Sequence, residues 1–183
     1  MKIFIKKVAG IEIPKQGTPD SVGFDLVANQ EPIIEGEFVD FPMDNLKLYK
    51  SISYIQYHTG VFISPQEEKK GKSTNQYFSI ITPRSSISKK NLMLKNGIGT
   101  LDRDYTGEII VRMQYVAQPE DLFQIPEGGW TRTYIRINWD KIYIKGNSIA
   151  QLIILPQIPV EWELVDKLPE TKRSSGGFGS TDK

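Results

Sequence analysis

The chain has no cysteine and a single histidine, His58. A disulfide framework, a Cys/His zinc site and thiolate catalysis are therefore excluded from within its own residues. The catalytic repertoire narrows to carboxylates, basic side chains and hydroxyls. An excess of one charge is also lacking: 23 Lys and Arg stand against 22 Asp and Glu, a formal net charge of +1. That is not the basic surplus that drives binding to nucleic-acid polymers through counterion release. No apolar run approaches the roughly 20 residues that span a bilayer. The start, Met1 to Lys7, has charge on both sides of an apolar stretch too short for a signal peptide. A cytoplasmic protein that engages neither a membrane nor a nucleic-acid polymer is expected.

Helical periodicity is scarce as well, with Arg84 to Leu94 the one stretch that suits a short helix. What the sequence does have is short runs rich in Ile, Val, Phe and Tyr, separated by Gly, Pro, Asn and Asp. They cover Lys2 to Val8, Leu48 to Tyr57, Gly60 to Ile63, Tyr77 to Ile81, Ile109 to Val116, Tyr134 to Ile144 and Ile149 to Leu155. These read as strands, and their spacing predicts an all-β sandwich, jelly roll or small barrel. A length of 183 residues suits one domain. The polar run Gln66 to Asn75, and Ala117 to Trp130 with its two prolines and paired glycines, are expected to be surface loops or added hairpins. After Pro169 the composition turns to Lys, Arg, Ser, Gly and Thr around a single aromatic, Phe178. A flexible C-terminal tail over 170–183 is expected, following a β domain over 1–169. Gly176, Gly177 and Gly179 let the backbone around Phe178 approach a ligand closely, with Arg173 before it and the hydroxyls of Ser180 and Thr181 after it.

Two further segments carry chemistry. Asn96-Gly97 is a strong hairpin signal, and Gly99 and Gly107 admit close backbone approach on either side of Asp102 and Tyr105. A strand end here with free N–H and C=O groups can match the acceptor–donor–acceptor edge of a pyrimidine such as uracil. A tight hairpin with solvated Asp turns fits the same residues. Thr82-Pro83-Arg84-Ser85-Ser86 offers a guanidinium fork, two hydroxyls and helix-start N–H groups, the parts of a phosphate cradle. A helix N-cap at Ser85 or Ser86, with Arg84 in a surface ion pair, fits them too.

Five segments taken in order resemble the five motifs of the trimeric dUTPase family. They are Ser21 to Ala28, Pro83 to Ser86, Gly99 to Glu108, Gly146 to Ile153 and Arg173 to Thr181. The resemblance spans nearly the whole chain, with added segments near 66–75 and 117–143. It implies a jelly-roll or distorted-barrel subunit, a homotrimer, and hydrolysis of dUTP to dUMP and pyrophosphate. By the same resemblance, Asp102 is the general base that deprotonates a water attacking the α-phosphorus. Asn96 and the backbone of Gly99, Thr100 and Leu101 read uracil, and Tyr105 packs beneath deoxyribose. Arg84, Ser85, Ser86 and Gln151 hold phosphates. Arg173 reaches the terminal phosphate, Phe178 stacks over the base, and Gly179 and Ser180 close the tail on the nucleotide. Asp25 supports Mg²⁺ through water, because Mg²⁺ dehydrates reluctantly and prefers phosphates and waters as ligands.

Three positions depart from the family pattern: Asn147 where Asp is usual, Ser174 where Gly is usual, and Asp182 where another Gly follows. Two alternative functions share the fold. A dCTP deaminase carries its catalytic Glu ten positions beyond the motif Asp, but Arg112 stands there, and a guanidinium cannot shuttle the proton. The other alternative is a regulatory protein that binds a partner through the added segments, where Trp130 to Trp139 has the aromatic content of an interface.

Overall fold

The computed structural model describes residues 3–41, 46–65 and 76–171. Among them are twelve strands and three short 3₁₀ turns. The strands are β1 (Phe4–Lys7), β2 (Lys15–Gln16), β3 (Phe24–Val27), β4 (Ile33–Phe41), β5 (Leu46–Ser64) and β6 (Gln76–Pro83). They continue with β7 (Leu92–Leu94), β8 (Gly99–Leu101), β9 (Glu108–Tyr115), β10 (Leu122–Glu127), β11 (Trp130–Ile135) and β12 (Ser148–Gln157). The fold is all-β, as expected, in two antiparallel sheets. One sheet runs β10-β11-β5-β9-β7, with β1 and β4 also paired to β5; the other runs β2-β3-β12-β6-β8.

Side-chain alternation explains why the two sheets pack. Along β9, Ile109, Val111, Met113 and Tyr115 are buried while Ile110 and Arg112 face outward. They meet Leu26, Ile81, Ile149 and Leu152 of the other sheet in one apolar core.

Local chemistry changes several boundaries read from the sequence. The runs ending at Tyr57 and starting at Gly60 are one strand, β5, because the chain bulges there without leaving the sheet. The β5–β9 register shifts between His58 and Phe62. Gly60 takes φ +67°, and a Cβ on it would lie 2.5 Å from Asn29 Nδ2, so only glycine fits. Buried Thr59 closes the bulge by donating its hydroxyl to the Ile109 carbonyl at 2.7 Å. The expected helix is no more than a 3₁₀ turn over Ser85–Lys89, after which Leu92 and Leu94 are drawn into the core as β7. The run Tyr134 to Ile144 stops being a strand after Ile135 and passes through a 3₁₀ turn at Trp139–Lys141. The segment 66–75 lies outside the described residues.

The other added segment is a hairpin, β10–β11, with a buried carboxylate at its root. Asp121 is 2% exposed and accepts hydrogen bonds from the Tyr115 hydroxyl at 2.8 Å, the Gln118 N–H at 2.9 Å and Asn91 Nδ2 at 3.1 Å. Burial, with the Asp121 hydrogen bond adding to it, raises the Tyr115 pKa above the usual 10.0. Stability from this group is therefore complete below pH 10 and is lost as pH rises through the higher folded value. Replacing Asp121 by Ala leaves three donors, the buried Tyr115 hydroxyl among them, without their acceptor. A loss of about 3 kcal/mol is expected, seen as a melting temperature lower by roughly 6–12 °C, with Asp121→Asn losing less because it keeps an acceptor oxygen.

Candidate functional site

The chain reaches the site through the Asn96-Gly97 turn. Gly97 sits at φ +68°, donating its N–H to the Leu94 carbonyl at 3.1 Å. This turn closes no hairpin. It carries the chain from β7 in the seven-stranded sheet to β8 in the five-stranded sheet, and β7 and β8 do not pair. The Asn-Gly pair thus sets a crossing between layers, since β8 pairs instead with β6, Gly99 opposite Ile81. A Cβ on Gly99 would lie 3.2 Å from Ile81 Cβ and 3.4 Å from Asn96 Nδ2, so glycine lets backbone line the wall. β8 is also an edge strand, and an edge presents main-chain N–H and C=O groups free of the ladder.

Asn96, Gly99 and Tyr105 line one cavity of about 470 Å³ together with Ile81, Ile110 and Arg112. Thr100 is exposed on β8, and Leu101 packs against the core. Asp102 is exposed just beyond β8, and its carbonyl accepts the Tyr105 N–H at 3.1 Å. The Tyr105 hydroxyl donates to the Glu108 carbonyl at 2.8 Å. A Cβ on Gly107 would come within 2.6 Å of that hydroxyl oxygen, so Gly107 is what lets the ring fold back.

A second cluster forms where β6, β12 and β3 run side by side. Gln151 stands opposite Thr82 on one flank and Asp25 on the other. Asp25 Oδ1 accepts Arg84 Nε at 3.0 Å and Gln151 Nε2 at 3.4 Å. Arg84 also reaches the Ser148 carbonyl at 3.5 Å. A Cβ on Gly23 would press on Gln151 Cβ at 3.0 Å, which accounts for the glycine there. Ser86 Oγ lies 3.1 Å from the Tyr143 hydroxyl. Arg84 and Ser86 border an open depression of about 380 Å³ with Lys90, Tyr143, Asn147 and Ser148. Neither Ser85 nor Ser86 caps the turn. The cap position is Arg84, which makes no side-chain cap bond, and Ser85 is exposed.

Asn147 accepts the Ile144 N–H on Oδ1 at 3.0 Å, the bond an aspartate would make there, so the departure removes charge without removing the turn. Tyr143, Lys90 and Arg112 were not singled out as site residues from sequence. Tyr143 lies in a run that reads as strand, no motif marks Lys90, and Arg112 stands out in the sequence only as the residue ten positions beyond Asp102. Arg173, Phe178, Gly179 and Ser180, with Ser174 and Asp182, lie outside the described residues.

The two clusters lie along the same strand, β6, with Gly99 opposite Ile81 near its Arg84 end and the β8 chain running away from Arg84 toward Asp102. Leu101 is opposite Ser79, while Arg84 follows Pro83, the last residue of the strand. At about 3.3 Å per residue this separates the Asp102 end of β8 from Arg84 by roughly 17 Å.

No family model matches the chain. A deoxyuridine 5'-triphosphate nucleotidohydrolase of Desulfitobacterium hafniense is 31% identical over 182 residues, covering 97% of this chain and 92% of its own. The chain belongs to the dUTPase family. Further dUTPases, from Hydrogenobaculum sp. and Escherichia phage T5, are each 28% identical, covering 99% and 92% of this chain and 98% and 90% of their own. Solved dUTPases share the fold. The Staphylococcus bacteriophage 80alpha dUTPase with dUPNHPP has a TM-score of 0.64 at 21% identity, covering 98% of this chain and 97% of that one. A mutant dUTPase of phage phi11 of S. aureus, described with a structural Mg(II) ion, has a TM-score of 0.58 at 17% identity, over 91% of this chain and 98% of that one. Membership of this dUTPase family makes the protein a nucleotide hydrolase by kind.

Proposed function

We propose that this protein hydrolyses dUTP to dUMP and pyrophosphate, as a homotrimer whose sites are shared between subunits. The observation that carries the reading is the cavity that gathers Asn96, Gly99 and Tyr105 beside an edge strand. Asn96 and the main chain of Gly99, Thr100 and Leu101 read the uracil edge, and Tyr105 packs against the sugar where a 2'-hydroxyl would stand. Asp102 orients a water and takes its proton as the water attacks the α-phosphorus in line, with pyrophosphate leaving. Arg84, Ser85, Ser86 and Gln151 hold the phosphates, and Arg173, Phe178, Gly179 and Ser180 close the tail over the bound nucleotide.

Mg²⁺ fits these residues as a companion of the substrate. Among the described residues no cluster of three or more His, Asp or Glu forms a metal cage. The Asp25 carboxylate, which accepts Arg84 and Gln151 on Oδ1, can hold a metal-bound water on its other oxygen. When bound, the ion neutralises phosphate charge.

Two features support the shared site. Roughly 17 Å separates the Asp102 end of β8 from Arg84 within one chain, so one nucleotide meets both more readily across a subunit boundary. The segment after β12 also alternates apolar residues, with Trp162 94% exposed and Leu164 100% exposed among Ile158, Val160 and Leu168. That pattern suits a strand laid on a neighbouring copy. Arg112 in the cavity wall, where a deaminase needs its carboxylate, disfavours dCTP deamination. Pyrophosphate release measured with dUTP, dCTP, dTTP and UTP tests the proposal. Fast release with dUTP alone is expected, and release with none of the four would refute it.

A further inference from the structure

A directed chain of hydrogen bonds runs along the outer face of the seven-stranded sheet, beside the nucleotide cavity. Arg112 Nε donates to Gln56 Oε1 at 2.9 Å, Gln56 Nε2 donates to His58 Nε2 at 3.0 Å, and His58 Nδ1 donates to Glu108 Oε2 at 3.0 Å. Chemistry sets this direction. A guanidinium can only donate, so it takes the amide oxygen of Gln56 and turns the amide NH₂ toward His58. His58 Nε2 must then accept, which places the ring proton on Nδ1, facing the carboxylate. Arg112 is fixed at its far end by stacking on Tyr54, 4.3 Å from the ring centroid.

The chain ends on Glu108, whose second oxygen accepts the Gly60 N–H at 2.8 Å inside the β5 bulge. Glu108 is the first residue of β9, and its pairing with Phe62 lies beyond the register shift. Its backbone therefore sits where the ladder is interrupted, and the side chain, 21% exposed, pins it to β5. The Glu108 carbonyl is the acceptor for the Tyr105 hydroxyl, at 2.8 Å.

We infer that Glu108, held by His58, is a positioning residue for Tyr105 and thereby sets how strictly the site discriminates deoxyribose from ribose. The inference rests on the dUTP reading above. Glu108 does not line the cavity; it acts through Tyr105, whose ring is tied to the Glu108 main chain and free to settle elsewhere if that main chain moves. Small displacements of a group packed against substrate are costly in selectivity and rate. His58 contributes by holding the carboxylate with its Nδ1–H, and Gln56 and Arg112 keep that donor on the correct nitrogen.

The experiment uses the full chain as purified, with Glu108→Ala, His58→Ala and His58→Asn. Asparagine places an N–H donor close to where the imidazole Nδ1 stood, so it serves as the conservative rescue. Release of pyrophosphate from dUTP and from UTP is measured, together with amide hydrogen exchange over residues 102–108. The two alanine variants are expected to lower the dUTP-to-UTP ratio of kcat/KM by about tenfold, and to speed exchange in that loop. His58→Asn should restore most of both. A carboxylate that merely braces the bulge would slow both nucleotides in proportion and leave the ratio intact, and that result overturns the inference, as does unchanged exchange over 102–108 in a folded variant. If Glu108→Ala fails to fold, the His58 pair gives the same readouts. If the wild-type chain releases no pyrophosphate from dUTP, the proposed function falls, and loop exchange alone then decides whether Glu108 holds Tyr105.

Discussion

Asp102→Asn is expected to abolish most turnover while leaving the fold and nucleotide binding in place. The side chain is exposed, and it is the Asp102 carbonyl, not the carboxylate, that accepts the Tyr105 N–H at 3.1 Å. The substitution therefore leaves the loop's own hydrogen bond intact. What it removes is the ability to take a proton, since a neutral amide is no base. General-base catalysis contributes roughly 10²–10⁴-fold, and kcat for dUTP should fall by that factor. Calorimetric titration with a non-hydrolysable dUTP analogue should show affinity near that of the wild type. Retention of more than about a tenth of the kcat would assign the base elsewhere, with Asp104 the first alternative.

Mixing two dead variants should recover activity that neither has alone. One carries Asp102→Asn with an intact Arg84, the other Arg84→Ala with an intact Asp102. If each site takes its β8 loop from one subunit and its Arg84 cluster from the next around a threefold ring, co-refolding equal amounts makes about three quarters of the trimers mixed. Each mixed trimer has one site with both groups intact, for about one quarter of wild-type activity. The roughly 17 Å between the Asp102 end of β8 and Arg84 within a chain is the physical ground for expecting this. Mass spectrometry must show that mixed trimers formed. Mixed trimers with no more activity than the parents would place the whole site within one subunit.

The strand pattern was legible where apolar side chains alternate, as in β9, or run almost without a break, as in β12. It was not legible in the nine-residue β4, nor in β3, β7 and β8, which have 4, 3 and 3 residues. Strands that short carry no periodicity, and only their neighbours hold them in a sheet. The Asn-Gly turn shows a different limit. Its dihedral preference was readable, but what it joins depends on which sheet accepts β8. At the site, the order of short motifs marked Asp25, Arg84 and Gln151, and these residues do share hydrogen bonds. Tyr143 and Arg112 reach their places only through tertiary packing, and the His58–Glu108 contact joins residues fifty positions apart. No local pattern encodes such pairs.

The buried carboxylate at the root of the β10–β11 hairpin bears on how this fold can diversify. Asp121 fastens the hairpin at its base, Tyr134 is buried along β11, and the tip stands clear. At its tip, Gly128 and Gly129 turn at φ +59° and +87° with nothing within 4 Å of where a Cβ would stand. Residues added there meet open space, and the two strands can lengthen without disturbing the packing beneath them. The hairpin is thus a tolerant graft point, where sequence can be exchanged or extended by evolution, or by an engineer attaching a label, while the knot below preserves the fold.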